Sequence, residues 1–167
     1  MTGDFITKED CRSCRFCCQF RRQSLWEVPK LPEYFTDKYK IATGGDVIKY
    51  KHMKTEAGSW VITDLSDLFT TDDPEEEAPC PFLDEKKGCV LPPEDKPFEC
   101  DGWPLRYMRM PDKSLKVTLT PTCPALGLKD ITALRLKSRT EWEHSFSEYA
   151  KQHPYIINDY RDGYIIL

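Results

Sequence analysis

Residues 11–18 read CRSCRFCC, so four of the chain's eight cysteines fall within eight positions, two of them adjacent. That density limits what the thiols can be for. Core cysteines behave as small hydrophobes and are usually placed inside strands and helices. Cysteines gathered in loops can turn several sulfurs toward one point, which soft metals require. Cys11, Cys14 and Cys17 are each separated by two residues. A C-x-x-C step aims two sulfurs at one centre, as in zinc knuckles. A third cysteine at the same interval is more typical of a four-iron, four-sulfur cluster, whose thiolates cap different iron corners. The bacterial ferredoxin run also closes with a remote cysteine followed by proline. Cys80-Pro81 and Cys123-Pro124 have that form.

The remaining cysteines extend the pattern. The sequence puts Cys11, Cys14, Cys17, Cys18, Cys80, Cys100 and Cys123 at turns or loops, and Cys89 directly after Gly88. All eight are candidate metal ligands. Neighbouring side chains point apart in a strand and diverge by about 100° in a helix. Cys17 and Cys18 are therefore expected to face different centres, and eight thiolates divide into two four-thiolate sites. An iron–sulfur cluster (4Fe–4S) is the favoured cofactor and structural zinc the alternative. Disulfides are disfavoured. The N-terminal MTGDFITKEDC has no apolar core of a signal peptide, so the expected compartment is cytoplasmic and reducing.

The chain has 167 residues, which predicts one domain, 1–167. Its hydrophobic fraction of 40% and aromatic fraction of 12% are globular values. A net charge of −4 and a pI near 5.5 argue against a non-specific nucleic-acid partner. No run reaches the ~18 apolar residues of a membrane span, so no membrane partner is expected.

Periodicity predicts an α+β fold of short antiparallel hairpins, metal-binding loops and a C-terminal helix. Residues 46–53 and 59–65 alternate and are β-rich, with a glycine-containing turn between them. Residues 80–84 and 89–91 flank a second turn that ends in Gly88. Residues 103–110 and 115–120 flank PDKS, a third. Residues 129–153 carry Ile131, Leu134, Trp142, Phe146 and Tyr149 near one helical face. Thr140 and Glu143 form a capping-box pattern that predicts a break near Arg139. Pro32 predicts the start of a short helix. The acidic residues 66–79 read as a solvated linker. The apolar end of DYRDGYIIL reads as a strand packed on the body.

The cysteine blocks resemble the putative zinc- or iron-chelating cysteine-cluster family (YkgJ-type, CxxCxxCC). CRSCRFCC matches its first block. CPFL, GCVL and KPFECDGWP are similar to its second, in which cysteine-Pro-Phe-Leu, Gly-Cys-Ile-Tyr and Arg-Pro-x-x-Cys-Arg-x-Phe-Pro succeed one another. The resemblance covers residues 11–18 and 80–104 plus Cys123. Val90-Leu91 replaces the Ile-Tyr pair, Lys96 the first Arg, and Asp101 the Arg after Cys100. The resemblance implies metal or cluster binding by the cysteines and leaves the metal and reaction open. Flagellin lysine methylases carry a similar cluster, so group transfer is a further reading.

Nothing else in the chain competes. His52, His144 and His153 are scattered. There is no G-x-G-x-x-G, P-loop, G-x-S-x-G or H-E-x-x-H pattern. Arg12, Arg15, Arg21 and Arg22 crowd the first cysteine block, where they would offset thiolate charge and raise a cluster's reduction potential. The expectation is an intracellular metal-binding protein with a redox or accessory role toward a protein partner or redox enzyme. A zinc module that presents an interaction surface is the alternative.

Overall fold

Short apolar runs cut by prolines and turn residues fold here into small strands and single helical turns. In a computed structural model, residues 6, 10, 14–124 and 130–167 are described. The chain falls into two compact units, Cys11–Pro97 and Phe98–Leu167 with Met1–Asp10. Helices and antiparallel hairpins coexist, as an α+β fold requires.

In the unit Cys11–Pro97, a 3-10 turn at Phe16–Cys18 leads into β1 (Gln19–Arg21). A second 3-10 segment follows at Arg22–Glu27, and then a single helical turn, α1 (Phe35–Lys38). The Phe35 amide closes back on the Pro32 carbonyl at 3.1 Å, so proline does open this turn. β2 (Tyr50–Thr55) and β3 (Gly58–Thr63) form the first expected hairpin, with Thr55 opposite Gly58 across a two-residue loop. Gly58 takes φ +115°, a conformation open to glycine and strained for other residues. β3 buries Trp60, Val61 and Thr63. Val61 exchanges backbone hydrogen bonds with Leu31 at 2.8 and 2.9 Å. The core beneath comprises Leu31, Phe35, Ile48, Val61, Phe82 and Leu91.

The acidic segment is ordered. β4 (Glu77–Pro79) pairs antiparallel with β1, placing Phe20 opposite Ala78 and Arg21 opposite Glu77. The solvated-linker reading is corrected by charge complementarity. Arg21 reaches Glu77 at 2.8 Å and Glu75 at 3.3 Å, and Arg22 reaches Glu76 at 3.4 Å. β5 (Leu83–Asp84) and β6 (Gly88–Cys89) form the second expected hairpin. Its turn is held by Asp84, which accepts from the amides of Lys86 and Lys87 at 2.8 and 2.7 Å.

The other unit holds α2 (Phe98–Gly102) and the third hairpin, β7 (Leu105–Arg109) with β8 (Leu115–Leu119). Its turn follows from Asp112, which accepts from the amide and hydroxyl of Ser114 at 2.9 and 2.6 Å. Helical residues run from α3 (Ile131–Lys137) through a π turn (Ser138–Trp142) into α4 (Glu143–Gln152). The buried residues Leu134, Ser138, Trp142, Phe146 and Ala150 recur every four positions. In a plain α-helix each such step drifts about 40° around the axis. The wider π turn takes up part of that drift. The break predicted near Arg139 does not occur. Thr140 donates to the Leu136 carbonyl at 3.0 Å inside the continuous helix, and Asp130 is the N-cap, accepting from the Thr132 amide at 2.8 Å. β9 (Asn158–Asp159) joins β7 in parallel and β10 (Ile165–Ile166) joins β8, giving the sheet order β10-β8-β7-β9. The tail therefore does pack on the body.

Candidate metal centre

Four of the expected ligands are neighbours in the unit Cys11–Pro97. The 3-10 turn that carries Cys17 and Cys18 begins at Arg15, which takes φ +53°. That left-handed conformation is uncommon outside glycine, and it closes the turn through the Cys18 amide on the Arg15 carbonyl at 2.9 Å. Beyond β4, the Cys80 amide donates to the Cys18 carbonyl at 2.8 Å. The β1–β4 register thus extends one step and brings Cys80 against the paired cysteines. The hairpin that follows carries Cys89 opposite Leu83.

The electrostatics of these thiols record their proximity. The Cys17 thiol hydrogen-bonds to Cys18, and that bond, burial and the neighbouring thiolate's charge push its pKa far above the usual thiol range. Burial pushes the Cys80 thiol up to about 12, with the charges of Cys89 and Cys17 adding to it. Crowded anions of this kind repel one another, and a metal cation among them reverses the balance and deprotonates the coordinating thiols. Soft sulfur donors are the chemistry that zinc and iron–sulfur clusters take. The donor set therefore fits the expected group.

The placement also departs from expectation in specific ways. Cys17 and Cys18 meet side chain to side chain, so the divergence expected of adjacent residues is not what this turn produces. Cys14 is exposed, as is Cys89. Cys100 lies in α2 rather than in a loop, and Cys123 is buried in a turn after β8. Both belong to the other unit. Cys11 and Arg12 lie outside the described residues. None of the described cysteines is in a disulfide. Among the described residues no group of three or more His, Cys, Asp or Glu side chains is arranged as a metal-ion site.

The arginines around the first cysteine block are also distributed differently. Arg21 and Arg22 are ion-paired with the acidic segment, and Arg21 lies over the Phe16 ring at 4.4 Å. Arg15 donates to the Glu85 carbonyl at the β5–β6 turn. Two further polar constructions had no obvious sequence signal. Asp95, buried, accepts from Lys38 and Tyr39, each at 2.5 Å, and from Tyr34 at 3.5 Å. Glu99 pairs with the buried Arg106 at 3.5 Å. No helix is long and apolar enough to cross a membrane among the described residues. Comparison of the chain with family models, with curated proteins and with solved structures finds no match.

Proposed function

We propose that this chain is a thiolate metal-binding protein of the cysteine-cluster type. Cys17, Cys18, Cys80 and Cys89 form the core of one centre, and the occupant is an iron–sulfur cluster. The observation that carries the reading is the backbone bond from Cys80 to Cys18, together with the effect of Cys18 on the Cys17 thiol and of Cys17 and Cys89 on the Cys80 thiol. Residues some sixty positions apart converge there without forming a disulfide. Cys14, and Cys11 from the same motif, are the nearest further donors in sequence. The resemblance extends the ligand set to Cys100 and Cys123. A cluster would supply reversible one-electron chemistry or a rigid crosslink. The chain's part is to hold the sulfurs and shield Cys80. It does so by packing Cys80 against two core clusters, one of Leu31, Phe35, Ile48, Val61, Phe82 and Leu91 and one of Phe20, Val28, Leu65 and Ala78. A reducing intracellular compartment and a protein or redox-enzyme partner complete the proposal.

The test is metal content across single serine variants. Cys17→Ser, Cys18→Ser, Cys80→Ser and Cys89→Ser should each remove the same centre, and Cys17→Ser/Cys18→Ser should remove no more metal than either alone. Independent losses that add in the double variant would divide the site. Metal content unchanged in Cys80→Ser would reject it. Stoichiometric zinc without sulfide in the wild-type chain would favour the structural zinc module.

A further inference from the structure

Two of the proposed ligands stand opposite each other on a strand pair. The Cys80 amide donates to the Cys18 carbonyl at 2.8 Å, and the Arg22 amide donates to the Glu76 carbonyl at 3.0 Å. Between these bonds β1 and β4 pair with Phe20 opposite Ala78. Positions 18 and 80, 20 and 78, and 22 and 76 are therefore successive hydrogen-bonded pairs of one antiparallel ladder. Such pairs set their Cα atoms about 5.5 Å apart. A disulfide spans Cα separations of about 4.4–6.8 Å. The backbone thus holds Cys18 and Cys80 at disulfide range, although some sixty residues separate them in the chain. The fold has already closed that loop, so a bond between them adds no closure entropy.

The adjacent pair is less suited to a bond of its own. The Cys17–Cys18 peptide is trans, which leaves their Cα atoms about 3.8 Å apart, below the usual disulfide range. Cys18 and Cys80 are each partly exposed, so a small oxidant reaches them.

We infer that in the metal-free chain Cys18 and Cys80 close into a reversible disulfide that gates metal loading. The gate rests on the metal reading above, whereas the disulfide itself does not. The oxidant is a peroxide, here hydrogen peroxide. One thiolate of the pair attacks a peroxide oxygen, the O–O bond breaks, and a sulfenic acid and hydroxide form. The other thiol attacks the sulfenic sulfur. The S–S bond forms, the S–O bond breaks, and the hydroxyl leaves with that thiol's proton as water. The proton of the first thiol neutralises the hydroxide. Two thiols and one peroxide thus give one disulfide and two waters, with two electrons passed from sulfur to oxygen. A dithiol reverses the bond by exchange through a mixed disulfide. In a reducing compartment such a bond is transient and redox-sensing. Metals take the thiolate, so the oxidised chain lacks two of its ligands. A loaded centre holds both sulfurs on the metal and resists the oxidant.

The experiment uses the full-length chain, both as purified and after a chelator has removed its metal under reducing conditions. Each is treated with stoichiometric hydrogen peroxide, alkylated, digested with trypsin and read by mass spectrometry. Trypsin leaves Cys17 and Cys18 together in residues 16–21 and Cys80 in residues 55–86. The stripped chain should yield these two peptides joined, and dithiothreitol should part them. The joined product should persist in Cys17→Ser and vanish in Cys18→Ser. The oxidised chain should lose uptake of zinc, and of iron with sulfide, and dithiothreitol should restore it. The metal-loaded chain should form the bond more slowly. Cys80 recovered as an alkylated free thiol overturns the proposal. So does a bond from Cys80 to a different cysteine, a disulfide confined to Cys17 and Cys18, or a Cys18–Cys80 bond no more abundant than in chain oxidised in guanidinium. An oxidised chain that loads metal undiminished overturns the gate. If a serine variant fails to fold, fragmentation of the joined wild-type peptides decides which cysteine is bonded. A reduced chain that forms the bond on oxidation yet never takes up metal rejects the metal reading and leaves the disulfide standing, so the two failures are distinguishable.

Discussion

Glu76 orders the acidic segment through one carboxylate. It accepts from the amides and hydroxyls of Thr70 and Thr71 at 2.6–2.9 Å and pairs with Arg22. Those bonds, the Thr70 amide first, lower its pKa to about 2. A folded pKa below the unfolded one means that the ionised form supports the fold. Its contribution is complete above about pH 4.5 and is lost as the pH falls toward 2. Glu76→Gln should therefore be less stable at neutral pH and show a shallower loss of stability across that acid window. Denaturant midpoints measured through the window check this, and parallel curves for the two proteins would contradict it. Asp95 follows the same sign, because Lys38 and Tyr39 hold its carboxyl below the usual range. At this scale the sequence was least informative. An aspartate in PPEDKP carries no signal that it will be buried beneath a lysine and two tyrosines.

Elements were more legible where turn chemistry was local. Asp84 and Asp112 each fold the chain back on amides two or three residues ahead, in the two hairpins whose turns Gly88 and PDKS marked in the sequence. The β1–β4 pair was not readable, because its strands are three residues long and lie more than fifty positions apart. Its signal was the match of an arginine pair with a run of glutamates, which as a charge run reads as solvated surface. The C-terminal helix was found by its apolar period, but the capping box was a false stop. Serine and threonine can bond to a carbonyl four residues back and remain within a helix, as Thr140 does. Asp130→Ala should cost about 1 kcal/mol, the usual loss of an N-cap. Thr140→Ala should cost far less, since no helix begins there. Thermal denaturation of the two variants separates them, and a larger loss from Thr140→Ala would restore the broken-helix reading.

At the scale of the whole molecule, cysteine spacing pointed to the site and the fold gave it a partial geometry. The step from Cys18 to Cys80 was legible only as a Cys-Pro pair and a resemblance, because the intervening sixty residues carry their own hairpin and core. The turn at Arg15 was not legible at all, since nothing in CRSCRFCC marks an arginine for a left-handed conformation. That turn presses Cys17 against Cys18, where spacing alone set them apart. The central claim is that these thiols hold an iron–sulfur cluster, and its most direct measurement is iron, acid-labile sulfide and zinc per chain after strictly anaerobic purification. The account predicts a brown protein that bleaches on reduction, with iron and sulfide in equal amounts of about four each per cluster. Colourless protein from that preparation, with stoichiometric zinc or no metal and without sulfide, would contradict it.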